Sequence, residues 1–189
     1  MATSVISPPL ATPISLEELK RHLRIEDDVQ DAYLIDLIKA ATAYAEAHIR
    51  KVLIDRTIRQ YVESVDASGD IFLEPFPVST IINVTGYDAE GFPHVLEAGT
   101  LRLDNHDDPA KLCILDNQVA ANYANGLEID MVAGFGDSAD AVPRNIARAI
   151  LLLCAHGYEH RGVEASFALS SSLPPFVNGL LNQTRRVML

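Results

Sequence analysis

The feature that most constrains the fold is one segment, residues 142–161, whose middle is almost wholly apolar. Pro143 suits the first position of a helix, and His160 and Arg161 bring positive charge to the last turn before Gly162. Between these ends the apolar positions form two adjacent stripes, so the helix must be covered on more than one side. We therefore predict a central buried helix. Its stripes comprise Ile146, Ile150, Leu153, Gly157 and Ala147, Leu151, Cys154, Tyr158.

Bulk properties indicate a globular protein with a real core. The 189 residues are 48% hydrophobic, which suits one domain, or a domain with a sizeable insertion, and excludes wholesale disorder. The apolar run at residues 149–155 is far shorter than the ~20 residues needed to span a bilayer. The opening residues lack a charged-then-apolar secretion signal, so we expect a cytosolic origin and two reduced core thiols, Cys113 and Cys154.

The net charge of −11 is concentrated in the middle of the chain. Residues 57–142 carry 3 Lys/Arg against 15 Asp/Glu, whereas residues 1–56 carry 7 against 9 and residues 143–189 carry 5 against 2. A surface this acidic repels phosphates. The charge therefore argues against sequence-specific or tight non-specific binding of nucleic acid.

The N-terminal part of the chain predicts an arm followed by two helices. Residues 1–14 hold three prolines and no charge, which suits an extended N-terminal arm that orders only against a neighbour. Ser15 and Glu18 form a capping box for a short helix, and the acids at 26–28 are placed to cap the next one. Residues 29–51 then predict a long amphipathic helix. Its stripe comprises Leu34, Leu37, Ile38, Ala41, Tyr44, Ala45, His48, Ile49 and Val52.

From residue 57 the apolar period changes from that of a helix to two. Short alternating segments occur at residues 57–65, 71–73, 78–84, 94–96, 101–103, 112–115 and 127–132. Turn signals separate them, such as Asp88-Ala89-Glu90-Gly91 and Asn125-Gly126. This spacing predicts an antiparallel meander or a small barrel-like sheet.

These segments together predict an α+β fold, a small helical bundle around a central buried helix with an antiparallel β insertion between the helices. We assign residues 1–14 to the arm, 15–56 to the helical part, 57–136 to the β insertion, 137–162 to the central helix and 163–189 to a C-terminal tail. The tail contains a short apolar face followed by two arginines. Two roles stay open for this element, which either packs on its own domain or docks into a partner's groove. Its residues are Phe176, Val177, Leu180, Leu181, Arg185 and Arg186.

One motif in the predicted central helix has the spacing of a catalytic zinc site. His156, Glu159 and His160 match H-x-x-E-H, in which two histidines on one helix face chelate Zn²⁺ and the glutamate polarises its water. The match lies in the last turn of the helix, and a third ligand would have to come from Glu164 or a distant acid. Histidines that stabilise the helix C-terminus are the favoured interpretation, and a zinc-dependent hydrolase is the alternative.

No other motif indicates a catalytic, cofactor or metal site. Gly134-Phe135-Gly136 lacks the Lys-Ser/Thr of a phosphate loop and is interpreted as a turn. The acidic run at residues 104–108 lacks the glycine and the distal glutamate of a calcium loop. His48, on an apolar stripe, is interpreted as a hydrogen-bonded core histidine rather than a metal ligand.

Read as a whole, the chain resembles the head–tail connector family of long-tailed bacteriophages, also called adaptor or head-completion proteins, which gene transfer agents share. The resemblance lies in the order and spacing of degenerate motifs. They are Leu16-Glu17-Glu18-Leu19-Lys20, His22-Leu23-Arg24, Asp31-Ala32-Tyr33-Leu34, Pro77-Val78-Ser79-Thr80-Ile81 with Val84, Tyr87-Asp88 and Gly91, Gly134-Phe135-Gly136, Val142-Pro143, Ala149-Ile150, Tyr158-Glu159-x-Arg161, Leu173-Pro174-Pro175 and Leu180-Leu181.

The resemblance implies a structural protein of the particle neck, assembled in the bacterial host cytoplasm, and no enzyme. It implies a ring of twelve copies beneath the portal protein, which extends the DNA channel and joins the capsid to the next neck or tail protein. Double-stranded DNA would pass through without specific binding, and neither a cofactor nor a membrane is involved. We further expect the tail, from Phe176 to Arg186, to dock on the portal. An acidic adaptor domain of a non-viral complex stays open as another reading of the same composition.

Overall fold

The computed structural model describes residues 2–65, 69–106, 109–115, 123, 125–160 and 175–185. The chain divides into two compact units, each with its own core. The β unit consists of Met1–Pro9 and Asp55–Phe135, and the helical unit consists of Leu10–Ile54 and Gly136–Leu189. The predicted α+β class is confirmed, since helices and antiparallel sheets fall into separate units.

The helical unit contains α1 (Leu16–Leu23), α2 (Asp31–Ile49), α3 (Arg144–Glu159) and α4 (Pro175–Asn182). The predicted central helix is confirmed as α3, because α1, α2 and α4 all pack against it. Six of its seven buried residues fall on the two predicted stripes, Ala149 lies outside both, and together they make α3 the centre of the core. They are Ile146, Ala149, Ile150, Leu151, Leu153, Cys154 and Gly157.

The ends of α3 differ from the prediction. Pro143 lies just before the helix rather than at its first position, with an extended ψ of 131°, and its carbonyl accepts hydrogen bonds from the amides of Ile146 and Ala147. At the other end the His160 amide donates to the His156 carbonyl, which closes the last turn one residue before the predicted end. Gly162, the predicted residue after the helix, lies outside the described residues.

The connection from α1 to α2 corrects a second prediction. Ser15 Oγ accepts a hydrogen bond from the Glu18 amide as expected, at 3.0 Å. The acids at 26–28, however, do not cap α2, whose first flanking residue makes no side-chain capping bond. Asp28 and Asp31 instead bind the Lys20 ammonium at 2.5 and 2.8 Å, because α1 brings that cation beside the loop. The loop acids therefore join two helices.

The described residues of the β unit form eight strands in two antiparallel sheets. They are β1 (Ala2–Ser7), β2 (Arg56–Val62), β3 (Asp70–Phe72), β4 (Val78–Tyr87), β5 (Pro93–Val95), β6 (Leu101–Asp104), β7 (Lys111–Ile114) and β8 (Leu127–Ala133). One sheet has the order β1-β2-β8-β4-β5 and the other the order β3-β7-β6. The predicted meander is wrong in its order, because β8 inserts between β2 and β4 and so separates strands that follow one another in sequence.

The N-terminal arm also differs from the expectation. Its residues are extended, but they form β1, which pairs with β2 of the same chain from Ala2 opposite Tyr61 to Ser7 opposite Thr57. The backbone groups on the free edge of β2 provide a hydrogen-bonding partner that the sequence of the arm does not reveal. The first nine residues are therefore part of the β unit.

Gly134 occupies the end of β8, where no other residue fits. Its φ is +151°, and a Cβ atom there would lie 2.4 Å from the backbone nitrogen of Asp55. Its amide donates to the Pro77 carbonyl at 2.9 Å. The glycine predicted to form a turn here is thus required by a close approach of two backbone segments.

Candidate functional site

The C-terminal helix α4 carries the predicted partner-binding residues, and it packs against α2 and α3 of the helical unit. Two polar anchors hold it. Asn145 Nδ2, at the start of α3, donates to the Leu180 carbonyl at 3.0 Å and to Thr184 Oγ1 at 2.9 Å. His48 Nε2 lies 3.0 Å from Asn182 Oδ1. Since these bonds tie both sides of α4 to the bundle, its orientation on the unit is fixed.

The predicted apolar face of this helix divides into two. Val177 and Leu181 are fully buried, one turn apart, and complete the core of the helical unit. Phe176 is 56% exposed and Leu180 is half-buried on the adjacent side of the helix. Arg185 is exposed just beyond the helix, and Arg186 lies outside the described residues. Of the six predicted residues, Phe176, Leu180 and Arg185 are therefore the ones with surface to offer.

The sequence pattern could not separate these two pairs. The four apolar residues Phe176, Val177, Leu180 and Leu181 are positions 2, 3, 6 and 7 of a short helix, where they form two adjacent stripes, and either stripe could face the core. Only the positions of α2 and α3 decide that the stripe of Val177 and Leu181 is covered. Among the described residues of the helical unit, Phe176 is the large exposed aromatic group, a residue type enriched in protein interfaces.

The H-x-x-E-H motif does not form a metal centre in the described part of the chain. The imidazole rings of His156 and His160 lie 4.3 Å apart, but His160 Nδ1 contacts the His156 carbonyl oxygen at 2.9 Å. No cluster of three or more His, Cys, Asp or Glu residues suited to a metal ion occurs among the residues described. Glu164, the proposed third ligand, lies outside them. The favoured interpretation, a histidine that satisfies the last carbonyls of α3, agrees with this geometry.

The two cysteines and His48, which the sequence also offered as candidates, lie in surroundings typical of structural residues. Cys113 and Cys154 are both buried and unpaired, and burial raises the pKa of the Cys154 thiol to about 12, which suppresses the reactive thiolate. His48 is part-exposed rather than in the core, where Asn182 contacts its ring nitrogen. The acidic run at 104–108 is described only as far as His106, whose amide donates to Asp104 Oδ1 at 3.3 Å.

The open face of the five-stranded sheet carries an ion cluster that sequence reasoning missed. Arg59 binds Asp130 through two nitrogens, at 2.6 and 2.8 Å, and contacts Glu128 at 2.8 Å. These side chains share a face because Arg59 lies opposite Asp130 in the β2–β8 register. The neighbouring carboxylates hold the pKa of the Arg59 guanidinium above its usual value, with the Asp130 hydrogen bond as the main cause. Sequence reasoning missed this cluster because Asp130 lies 71 residues from Arg59 in the chain, and only strand pairing brings the two together.

No helix in the described ranges is both long enough and apolar enough to cross a membrane. Two surfaces stand out among the described residues: an anchored C-terminal helix with an exposed aromatic group, and a polar sheet face with a net negative charge.

Comparisons with known proteins show similarity to a phage protein family and to chains of gene transfer agent particles. Residues 13–71 match the family model described as phage gp6-like head-tail connector protein. No curated protein matches the chain. Among solved structures, a chain from the neck of an empty gene transfer agent particle computed with C6 symmetry is 27% identical, with a TM-score of 0.82, and the match covers 100% of this chain and 97% of that chain.

Two further structures give the same result. A chain from the virion of a native gene transfer agent particle is 26% identical, and one from the neck of a native particle computed with C12 symmetry is 27% identical. Both have a TM-score of 0.79 and cover 100% of this chain and 97% of theirs. The resemblance inferred from the sequence is thereby confirmed: this chain is similar over its whole length to proteins of gene transfer agent necks, and over residues 13–71 to the phage gp6-like head-tail connector family.

Proposed function

We propose that this chain is a structural head–tail connector subunit in the neck of a phage or gene transfer agent particle. The observation that carries the proposal is the match to particle necks, which covers all of this chain and 97% of the matched chain. Because both the β unit and the helical unit are included, the match is to a complete subunit rather than to a shared helical motif. In a particle neck, a structural subunit functions through the surfaces that it presents to its neighbours.

The assembly we propose is a closed ring of twelve copies beneath the portal protein. The C12 symmetry of one matched neck supports the number. The ring would extend the DNA channel and present a surface to the next neck or tail protein. The β unit holds 4 Lys/Arg against 14 Asp/Glu. Twelve copies would produce a strongly negative surface, along which double-stranded DNA passes without adhering.

We propose that this function involves no catalysis. His160 Nδ1 is engaged by a backbone carbonyl, and the thiolate form of Cys154 is suppressed by burial. Burial therefore makes Cys154 a poor nucleophile, and the His160 contact is the one expected of a histidine that satisfies a carbonyl at the end of α3. A purified chain that binds zinc stoichiometrically, and hydrolyses a peptide or ester only while Glu159 is intact, would support the hydrolase alternative instead.

The portal contact, in this proposal, is made by the C-terminal helix and the residues after it. Phe176, Leu180 and Arg185 supply an aromatic group, an aliphatic edge and a positive charge on one short element. Val177 and Leu181 act indirectly, because their burial fixes the orientation of the helix. Arg186 would extend the basic end.

The test of the connector role is the copy number of this chain in purified particles. Quantitative mass spectrometry of DNA-filled particles from the producing cell should find it at a fixed ratio to the portal protein, equal for two rings of twelve. Its absence from particles that contain portal would reject the connector role.

The portal contact needs a substitution that spares the fold. Deletion of residues 173–189 would remove Val177 and Leu181 from the core and confound binding with unfolding. Phe176→Ser changes an exposed side chain, and Phe92→Ser, at 64% exposure in the β unit, is a matched control. We expect F176S to weaken binding to portal-containing heads about tenfold or more, as truncation of an aromatic anchor does, and F92S to leave it unchanged. Equal binding by F176S and wild type would exclude this helix as the contact.

A further inference from the structure

The edge strand β1 pairs with its sheet without burying its side chains. It pairs with β2 over Ala2–Ser7, yet all six of its residues are exposed. Val5 and Ile6, its two larger apolar residues, are 57% and 50% exposed. The core of the β unit therefore gains little from the side chains of this strand.

The neighbouring strand shows the contrast. In β2, the side chains of Ile58, Gln60 and Val62 point to the buried face of the sheet. A strand of that kind is bound to its own chain by specific packing. β1 is held mainly by backbone hydrogen bonds, which the β1 of any other copy would make equally well, because the backbone groups are identical.

The segment after β1 has the composition of an extended connection. Residues 8–13 contain Pro8, Pro9 and Pro13, and Leu10 among them is fully exposed. Proline restricts φ and stiffens a segment in an extended form, which advances about 3 Å per residue. Six such residues reach about 20 Å, a distance comparable to the width of a neighbouring small domain.

The absence of charged side chains also allows β1 to approach a neighbouring subunit. The first charged residue of the chain is Glu17, so β1 and its proline-rich segment are neutral. The β unit of a neighbouring subunit is strongly acidic, and an element that carried negative charge would be repelled from it. A neutral strand can approach that surface without this cost.

We propose that β1 is exchanged between subunits in the assembled ring, so that β1 of one copy pairs with β2 of the next. This inference rests on the proposed ring. In a closed ring with head-to-tail contacts, each subunit presents one surface to one neighbour and a different surface to the other, and a donated strand with a receiving strand edge fits this arrangement. Exchange keeps every backbone hydrogen bond of the β1–β2 pair and converts an intrachain contact into a link between neighbours. The free subunit keeps its strand until assembly.

Cysteine cross-linking tests the exchange directly. Ala2 lies opposite Tyr61, and directly opposed residues of antiparallel strands have Cα separations that a disulfide can span. Two differently tagged chains, Ala2→Cys and Tyr61→Cys, are co-produced in the particle-forming cell, and purified particles are oxidised and analysed on a non-reducing gel. We expect a cross-linked dimer that carries both tags. Neither variant co-produced with wild type should give this dimer, since Cys113 and Cys154 are buried.

A double variant A2C/Y61C makes the opposite result equally visible. Exchange predicts loss of most of the monomer band and a ladder of covalent oligomers from particles. Incorporation into particles with intrachain disulfides only, seen as oxidised monomer, would overturn the proposal while leaving the connector role intact. Absence of the wild-type chain from particles would reject the ring, and the exchange with it. If only the variants fail to assemble, Ser4→Cys and Arg59→Cys, the next outward pair in register, replace them and are judged in the same way.

Discussion

The two units of this chain differ in charge far more than in size. The helical unit carries 11 Lys/Arg against 12 Asp/Glu and is nearly neutral, whereas the β unit carries 4 against 14. A nearly neutral unit can pack closely against copies of itself and against a partner. An acidic unit repels its copies and any nucleic acid. The net charge of −11 therefore arises from the β unit and is not spread over the protein as a whole.

The units also differ in how they hold their interiors together. The helical unit has an aliphatic core centred on α3, in which Ile146, Ile150 and Leu153 are fully buried. The β unit includes a buried polar side chain, Gln60, which bridges β2 to the chain around β3. Apolar packing is sensitive to volume, whereas a buried hydrogen-bonding group is sensitive to the loss of its partners.

The largest effect is expected from a cavity in the helical unit. Ile150→Ala removes part of a fully buried side chain from the centre of α3, and we expect a loss of about 3 kcal/mol in the free energy of unfolding. Urea denaturation followed by circular dichroism measures it. Ile35→Ala, on the exposed side of α2, is the matched control and should change stability by less than about 0.5 kcal/mol. Equal losses in both variants would mean that α3 is not the centre of the core.

A smaller effect is expected at the polar bridge of the β unit. Gln60 Nε2 donates to the Phe72 carbonyl at 2.8 Å, and its Oε1 accepts from the Glu74 amide at 2.7 Å. Gln60→Ala leaves both backbone groups without this partner in a buried site, so we expect a loss of about 2 kcal/mol.

The control for this bridge comes from the other unit. Gln30→Ala removes a part-buried bond of 3.2 Å to Tyr158 Oη, and we expect a loss of about 0.5–1 kcal/mol. Thermal unfolding of the three proteins under one buffer gives the comparison. A larger loss of stability in Q30A than in Q60A would show that the two Gln60 hydrogen bonds do not stabilise the β unit as proposed.

The smallest effect is a pH dependence in the turn between β4 and β5. The hydrogen bond from His94 is the main cause that lowers the pKa of the Asp88 carboxyl, and the Phe92 amide adds to it. Because the folded pKa is below the unfolded one of about 3.9, this carboxylate stabilises the fold above that pH. The contribution disappears as the pH falls through the folded pKa.

Carboxyl titration by NMR checks this prediction. The midpoint of Asp88 should lie below about 3.9, and His94→Ala should move it upward toward that ordinary value. The Phe92 and Glu90 amides, which also contact Asp88, stay in place in H94A and keep the turn formed. A midpoint that does not move in H94A would show that the histidine is not the cause.

Several elements could be predicted because their information is local. The three-and-four spacing of Leu34, Leu37, Ile38, Ala41, Ala45 and Ile49 predicted α2, and each of these residues is buried. The period of two over residues 57–65 predicted β2, and the structure shows that Ile58, Gln60 and Val62 form its buried face. In both cases the period of the pattern is fixed by the geometry of the backbone.

Other features required partners that are distant in sequence. β8 pairs with β2 across more than 60 residues, and nothing within either strand specifies this pairing over the meander. The acids at 26–28 have the composition of a helix cap, yet Asp28 binds Lys20 of the preceding helix. Local chemistry identifies a donor or an acceptor, and the fold decides which partner it meets.

The α+β class, the buried central helix and the acidic character of the β region follow from the sequence, because periodicity and charge are properties of neighbouring residues. Three features depend on the folded chain: residues 2–7 form an edge strand, β8 divides β2 from β4, and Val177 and Leu181 are covered while Phe176 is not. All three have one cause. Burial and strand pairing depend on which surfaces meet in space, and a one-dimensional pattern contains several solutions until those surfaces are brought together.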